Sequence, residues 1–399
     1  MRIASRKMRA VSAVLALGLV VAACGGSDEP AAPAPTPDPT PAPPSEEVPS
    51  DSIVPEFDAD AFYAGKEIEI IAPFAAGGGT DVQARFFAPF LEQYMVGKPR
   101  VATFNIAGAG GIIGSNQFAT QRNHEAATAV LFSSGSSFFP WLFGDPALRL
   151  NYNDLVGTAA IQTGGVVYVS SSTGVNSPQE FAEAIKNGTV DWVAGEQTVD
   201  SLGLLKILAY DMLRMDANVV LGFEGRGPIR NALEAGDLNI NWDTTASMLS
   251  TVSQLEETGA VVPVFSIGQV VDGALVRDPV FPDLPHFGEM YELVHGSAPT
   301  GLALDAYISL TLAGYTLQKV MWLHQDAPDQ AVQELRDGFE NMTNDPAFQE
   351  RALAILGDYD IIVGGAVDGA VATLIDFPDE RRNWLLDFMV DNYDYTDPR

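Results

Sequence analysis

Ile70-Ile71-Ala72-Pro73-Phe74-Ala75-Ala76-Gly77-Gly78-Gly79-Thr80-Asp81 is the stretch whose reading decides the fold. Just upstream, Lys66-Glu67-Ile68-Glu69 alternates in polarity; the segment then becomes fully apolar, as an inner strand does before it enters a glycine turn. Thr80 or Asp81 supplies an N-cap, and Val82, Phe86 and Phe90 recur at four-residue spacing, so a helix with one apolar face is expected next. The unit then repeats. A strand over 100–106 leads into a glycine loop at 107–111 and a helix through Asn116 and Phe118, and a third strand over 129–132 ends in Ser133-Ser134-Gly135-Ser136-Ser137. Strands that alternate with helices call for a parallel or mixed sheet covered on both faces, with ligand sites at the carboxyl ends of the strands. All three small-residue loops fall at such ends.

A second set of elements follows. Strands are expected over 165–170, 189–193, 219–223 and 238–242, the last ending at Asp243. Helices are expected over 177–186, capped by Ser177, over 202–213, and over 229–235 after the turn Glu224-Gly225-Arg226-Gly227-Pro228. A strand over 261–267 is expected to return to the first domain, and the remainder is mainly helical. The apolar run 302–323 is interrupted by Asp305, Gln318 and Lys319 and does not read as a membrane span. The expected division is one α/β domain made of 58–163 and 264–399 and a second made of 164–263. A chain that crosses twice between domains forms a two-segment hinge, a geometry suited to closing on a ligand in the cleft between them.

Composition narrows the partners. The 399 residues carry 52 acidic against 22 basic side chains, a formal net charge of −30, which argues against nucleic acid or an anionic lipid surface. The four histidines have no metal-ligand spacing, and neither a glycine-flanked serine elbow nor a phosphate-loop lysine occurs, so no metal, cofactor or catalytic residue is expected. An enzyme acting on a carboxylate stays open as an alternative, because distant residues can converge in space. The single cysteine, Cys24, excludes an internal disulfide framework. Arg2, Arg6, Lys7 and Arg9 precede the apolar run 10–21, the layout of a secretory signal, and the run ends Val21-Ala22-Ala23-Cys24-Gly25. That ending resembles a bacterial lipobox, which makes 1–24 a lipoprotein signal and Cys24 the lipidated residue; an ordinary signal with a chance cysteine is the alternative. Residues 25–57, rich in Pro, Ala, Asp and Glu, read as an extended tether.

Several residues invite a chemical role. Gly77-Gly78-Gly79 lets the backbone present several N–H groups beside the positive end of a helix, an anion site without a charged side chain; a turn that needs only small residues explains the same sequence. Gly108, Gly110, Gly111 and Gly114 superficially suggest a dinucleotide fingerprint, but position 113 is Ile and the loop follows the second strand. Asp243 either holds a polar ligand group or caps the next helix, and Arg226 is either a charged clamp or an exposed turn residue. Phe138, Phe139 and Trp141 read as core or hinge packing rather than a ligand wall.

The first two loops together, with Gly108-Ala109-Gly110-Gly111-Ile112-Ile113-Gly114 as the second, resemble the opening of the tripartite tricarboxylate transporter substrate-binding proteins, also called the Bug or TctC family. Residues 151–156, Phe223-Glu224-Gly225-Arg226-Gly227-Pro228, Asn241-Trp242-Asp243 and Pro282-Asp283-Leu284-Pro285 with Glu289 follow in the family's order. The resemblance implies a type II periplasmic-binding fold and an extracytoplasmic receptor. Such a receptor hands a small organic carboxylate to large and small multispanning permease subunits. It implies backbone donors for the carboxylate at Ala75, Ala76, Gly77, Thr80 and Asp81, with Gly110 and Gly111 nearby and hydroxyls from Ser133 and Ser134. From the second domain it brings the loop Gly195-Glu196-Gln197-Thr198-Val199-Asp200-Ser201, where Gly195, Thr198 and Ser201 are candidates and Ser201 stands where the family usually has histidine. Glu196 would repel a carboxylate unless it points away or meets a cationic or hydroxyl group on the ligand. The expected assembly is a monomer at the periplasmic or extracellular face, anchored through its lipid. A sensor that docks on a signalling receptor would use the same parts.

Overall fold

The computed structural model describes residues 58–399, so the readings of 1–24 with Cys24 and of the tether 25–57 lie outside the described residues. After a short helix α1 (Ala59–Tyr63), strand β1 (Glu67–Ala72) runs into helix α2 (Gly79–Tyr94), and β2 (Arg100–Asn105) into α3 (Ile112–Gln121). Strand β3 (Ala129–Phe132) is followed by α4 (Gly135–Phe143), and β4 (Leu155–Ile161) ends the first run. The second run is β5 (Gly165–Ser170), α5 (Pro178–Asn187), β6 (Trp192–Gly195), α6 (Leu204–Met212), β7 (Ala217–Val220), α7 (Arg226–Ala235), β8 (Ile240–Thr244) and β9 (Val261–Ser266). A hairpin of β10 (Gln269–Val271) and β11 (Ala274–Val276) precedes a helical stretch, from which β12 (Lys319–His324) and the short β13 (Ile361–Ile362) emerge.

These strands form two mixed sheets. The six-stranded sheet has the order β13-β4-β12-β3-β1-β2, and the five-stranded sheet has the order β7-β6-β8-β5-β9. In the first, β1 lies parallel to β2 and β3, while β12 is antiparallel to both β3 and β4. The amino end of β12 therefore shares an edge with the carboxyl ends of β1, β3 and β4. In the second, β6 is parallel to β7 and β8, and β5 is antiparallel to β8 and β9.

Two expectations need correction. Strand β9 does not return to the first sheet; it pairs with β5, with Val166 opposite Ser266 and Ser170 opposite Val261. Alternation of apolar residues marks a strand but says nothing about which sheet edge receives it. The strand that does return is β12, hidden in the apolar run 302–323, which is a helix (Leu302–Thr311), a π-turn (Leu312–Thr316) and then a strand. Among the described residues no helix is long and apolar enough to cross a membrane.

Helix α2 packs through Phe86, Phe87 and Phe90, all of which meet Phe348 of the helix Pro346–Leu356; the Phe86 and Phe348 rings stack at 5.1 Å. Val82, read as part of that face, is 43% exposed, because the buried stripe rotates toward Phe87 and Leu91. Phe138 and Phe139 are core, as expected. The start of α3 is held close to the first loop: a Cβ on Gly114 would lie 2.6 Å from the Ile106 carbonyl oxygen and 2.7 Å from Pro73 Cα. Both are backbone atoms that cannot swing aside. Gly114→Ala should therefore cost about 1–3 kcal/mol as an overpacked site, measured as a lower urea midpoint with unchanged slope.

Candidate functional site

The first-lobe half is built on the carboxyl end of β1. Ala75, Ala76, Gly77 and Gly78 are exposed, and Gly77 has φ 78°, which places its N–H on the inner side of the turn. Neither Thr80 nor Asp81 caps α2; the cap position is Gly78 and it has no side-chain hydrogen bond. The cause is visible in Asp81. Its carboxylate accepts from the Gly77 N–H at 2.8 Å and from Arg85 Nε at 2.8 Å, so it braces the loop from within the helix. Arg85 also donates to Asn105 at 3.0 Å, and Asn105 donates to the Phe74 carbonyl at 3.1 Å. The Thr80 hydroxyl accepts from the Lys319 ammonium at 2.9 Å. Gly110 and Gly111 adopt φ 63° and 105° at the start of α3, and a Cβ on Gly111 would lie 2.9 Å from Ser137 Cβ. The second loop is thus wedged against the start of α4. Ser133 and Ser134 are buried and engaged inside the lobe: Ser133 Oγ accepts from Trp322 Nε1 at 2.7 Å, and Ser134 forms a capping box with Ser137.

The second-lobe half is a buried charge network. Glu196 is 2% exposed; its carboxylate accepts from the Trp242 indole N–H and from Arg226 at 3.1 Å. It therefore turns inward onto a cation, which answers the question of its repulsion. Arg226, read as a clamp or an exposed turn, is mostly buried. Its guanidinium lies 4.1 Å from the Trp242 ring centre and also donates to Asn241 and to the Trp242 carbonyl. Asp243 does not cap the next helix; it accepts from Arg230 at 2.7 Å and from the Tyr168 hydroxyl at 2.8 Å. Burial raises the Asp243 carboxyl above its ordinary value, while Arg226 and Arg230 pull it back. Gly195 ends β6 against Leu238 and Phe223, where a Cβ would come within 2.9 Å of both. Thr198 is exposed, and its carbonyl takes the buried Ser201 hydroxyl at 2.7 Å.

Apart from Gly79, the two halves meet at residues that the sequence did not single out. A Cβ on Gly79 would lie 3.7 Å from Thr244 Oγ1, at the end of β8, and 3.9 Å from Lys319 Nζ. Leu202, just after the Gly195–Ser201 loop, seats its Cδ1 in a socket of two glycines: Cβ atoms on Gly135 and Gly314 would approach it to 2.8 and 2.7 Å. Lys206 of α6, fully buried, donates to the Tyr315 hydroxyl and to the Leu202 carbonyl at 3.0 Å, with its ammonium over the Trp242 ring. Burial holds that ammonium well below its ordinary value, partly offset by Glu196. At the crossing, the Gly164 N–H donates to Thr245 Oγ1 at 3.1 Å, and Tyr359 links Thr245 to Asp278. The 75–81 loop and the end of β8 at Asp243 and Thr244 are thus brought together, whereas Ser133, Ser134 and Ser201 spend their hydroxyls internally. The spacing of polar residues in β12 could have pointed to Lys319, an isolated cation at the start of an apolar strand.

Comparison with solved structures decides the fold. The periplasmic binding protein BugD superposes with a TM-score of 0.61 at 21% identity, covering 82% of this chain and 98% of that one. The fold is that of the Bug and TctC solute-binding proteins. A protein of R. palustris solved with adipate aligns with a TM-score of 0.60 at 16% identity over 81% of this chain and 96% of its own. MatC from Rhodopseudomonas palustris, with bound malate, aligns with a TM-score of 0.58 at 18% identity over 81% and 98%. In sequence, Protein BugT of Bordetella pertussis is 41% identical over 75 residues, 19% of this chain, and the match spans only 22% of that relative's length. No family model matches the chain. The type II architecture and the resemblance read from the glycine loops are borne out, and the similar proteins are solute-binding proteins.

In this type II fold the Glu196–Arg226–Trp242 network fixes the second-lobe loop. Arg226→Ala should cost about 3–5 kcal/mol, because it leaves the buried Glu196 charge without its cation. Urea unfolding should register the loss, and the double change with Glu196→Gln should recover part of it.

Proposed function

We propose that this chain is an extracytoplasmic solute-binding lipoprotein that captures a small organic carboxylate and delivers it to a transporter with large and small multispanning permease subunits. The observation that carries the reading is the exposed 75–78 loop at the start of α2, facing the end of β8 from the other lobe across Gly79 and Thr244. An exposed loop at a helix N-terminus favours an anion, and apposed lobes favour a ligand enclosed by closure. The similar proteins solved with malate and adipate support a carboxylate over other anions. Inward-turned Glu196 removes the repulsion that would argue against a plain dicarboxylate.

Ala75 and Ala76 would supply backbone donors, Gly77 would hold the loop through its N–H bond to Asp81, with Thr80 beside it, and Asp243, Arg226 and Thr198 would shape the far wall. One helix terminus contributes roughly 0.3 to 2 kcal/mol and a charge-assisted hydrogen bond about 1.5 to 3, against about 8 kcal/mol for a micromolar complex. Donors from both lobes must act together. The domain division expected at 58–163, 164–263 and 264–399, with its second boundary moved beyond Ser266 because β9 pairs with β5, belongs to the same proposal, as do export, the tether of 25–57 and acylation of Cys24.

A thermal-shift series with malate, adipate and a neutral sugar tests the reading. At about a hundred times Kd, the bound acid should add about 2.7 kcal/mol of stability while the sugar adds none; stabilisation by the sugar and by no acid would refute it. Small-angle scattering should show compaction with the bound acid. Metabolic lipid labelling should vanish in Cys24→Ser.

A further inference from the structure

Lys319 stands at the amino end of β12, on the edge where β1, β3 and β4 end, and it is 4% exposed. Its Nζ carries up to three protons but makes one hydrogen bond, to the neutral hydroxyl of Thr80 in the first turn of α2. Among the described residues no carboxylate forms an ion pair with it, and burial alone pushes its ammonium down to about 7.

The charges on the surrounding elements are already committed. Asp81 of α2 is held by Gly77 and Arg85, Asp243 of β8 by Arg230 and Tyr168, and Asp278 beside the crossing by Tyr359. Lys206 binds the Tyr315 hydroxyl, Asp358 and Asp360 near β13 are exposed, and the β3 and β4 neighbours Ser133 and Ile161 carry no charge. A cation is thus buried without a counter-ion at the positive end of a helix, where the helix dipole adds to the cost. That arrangement is unfavourable in the free protein and is relieved by an anion at the 75–79 loop.

We propose that Lys319 is the charged group that holds the ligand carboxylate at the start of α2, so that binding the acid draws a proton onto it. The inference rests on the carboxylate reading above and assigns its charge to a residue. Because the free side chain titrates near neutrality, affinity is greatest below pH 7 and falls roughly tenfold per pH unit above it, until the pKa of the bound state is reached.

The test is isothermal titration calorimetry with malate and with adipate at pH 6 and pH 8.5, in two buffers of different ionisation enthalpy. The wild type should bind about 30-fold more weakly at pH 8.5 and take up close to one proton there, against about a tenth of a proton at pH 6. Lys319→Met should bind at least tenfold more weakly at pH 6, lose the proton uptake and lose the pH dependence. Its melting temperature without ligand should rise at pH 6, since a buried unpaired charge is gone. Equal affinity of the variant, or no proton uptake by the wild type at pH 8.5, overturns the proposal, and the second result needs no variant to fold. If the wild type binds neither acid at either pH, the carboxylate reading itself fails, an outcome distinct from binding that ignores Lys319.

Discussion

Insertion of β12 between β3 and β4 is the constraint on which the rest of the molecule depends. It is antiparallel to both neighbours, and in chain order it arrives after the strands of the second sheet. Its backbone closes the first sheet: the Ser133 N–H donates to the Val320 carbonyl, and Trp322 reaches back to the Ser133 side chain. The same insertion sets the chemistry of the edge. A strand running against its neighbours begins where they finish, so the first residue of β12 is delivered to the place where the glycine loops open. Burial of the following Val320, Met321, Trp322 and Leu323 fixes the register, and Lys319 cannot slip to solvent without taking an apolar strand with it.

Much of the fold was legible because its signals are local. Strands 129–132 and 165–170 coincide with β3 and β5, and Ser177 caps α5 by accepting from the Glu180 N–H. Each is a short apolar or capping pattern that the chain reads from its own neighbours. What was not legible is pairing at a distance. The strand 261–267 has the right pattern but the other sheet, and β12 is masked because helix, π-turn and strand share one apolar composition across 302–323.

The site shows the same division. The glycine loop at 75–79 announced itself through spacing, since only a tight turn before a helix needs that run of small residues. Arg226, Glu196 and Asp243 were visible as charged residues but not as a network, because their neutralisation depends on Trp242, Tyr168 and Arg230 arriving from separate elements. Asp81 was read as a cap by position alone. Its actual role, bracing Gly77 while held by Arg85, goes with a helix that begins three residues earlier than a cap at 81 allows.

The glycine socket around Leu202 makes three distant positions depend on one another. Its three members lie far apart in sequence, at 135, 202 and 314, yet each leaves room for the others only while all keep their present size. A methyl group at either glycine would evict the leucine, and a smaller residue at 202 would leave a void that neither glycine can fill without backbone motion. The three positions are therefore energetically coupled, and the cost of changing one depends on what stands at the other two.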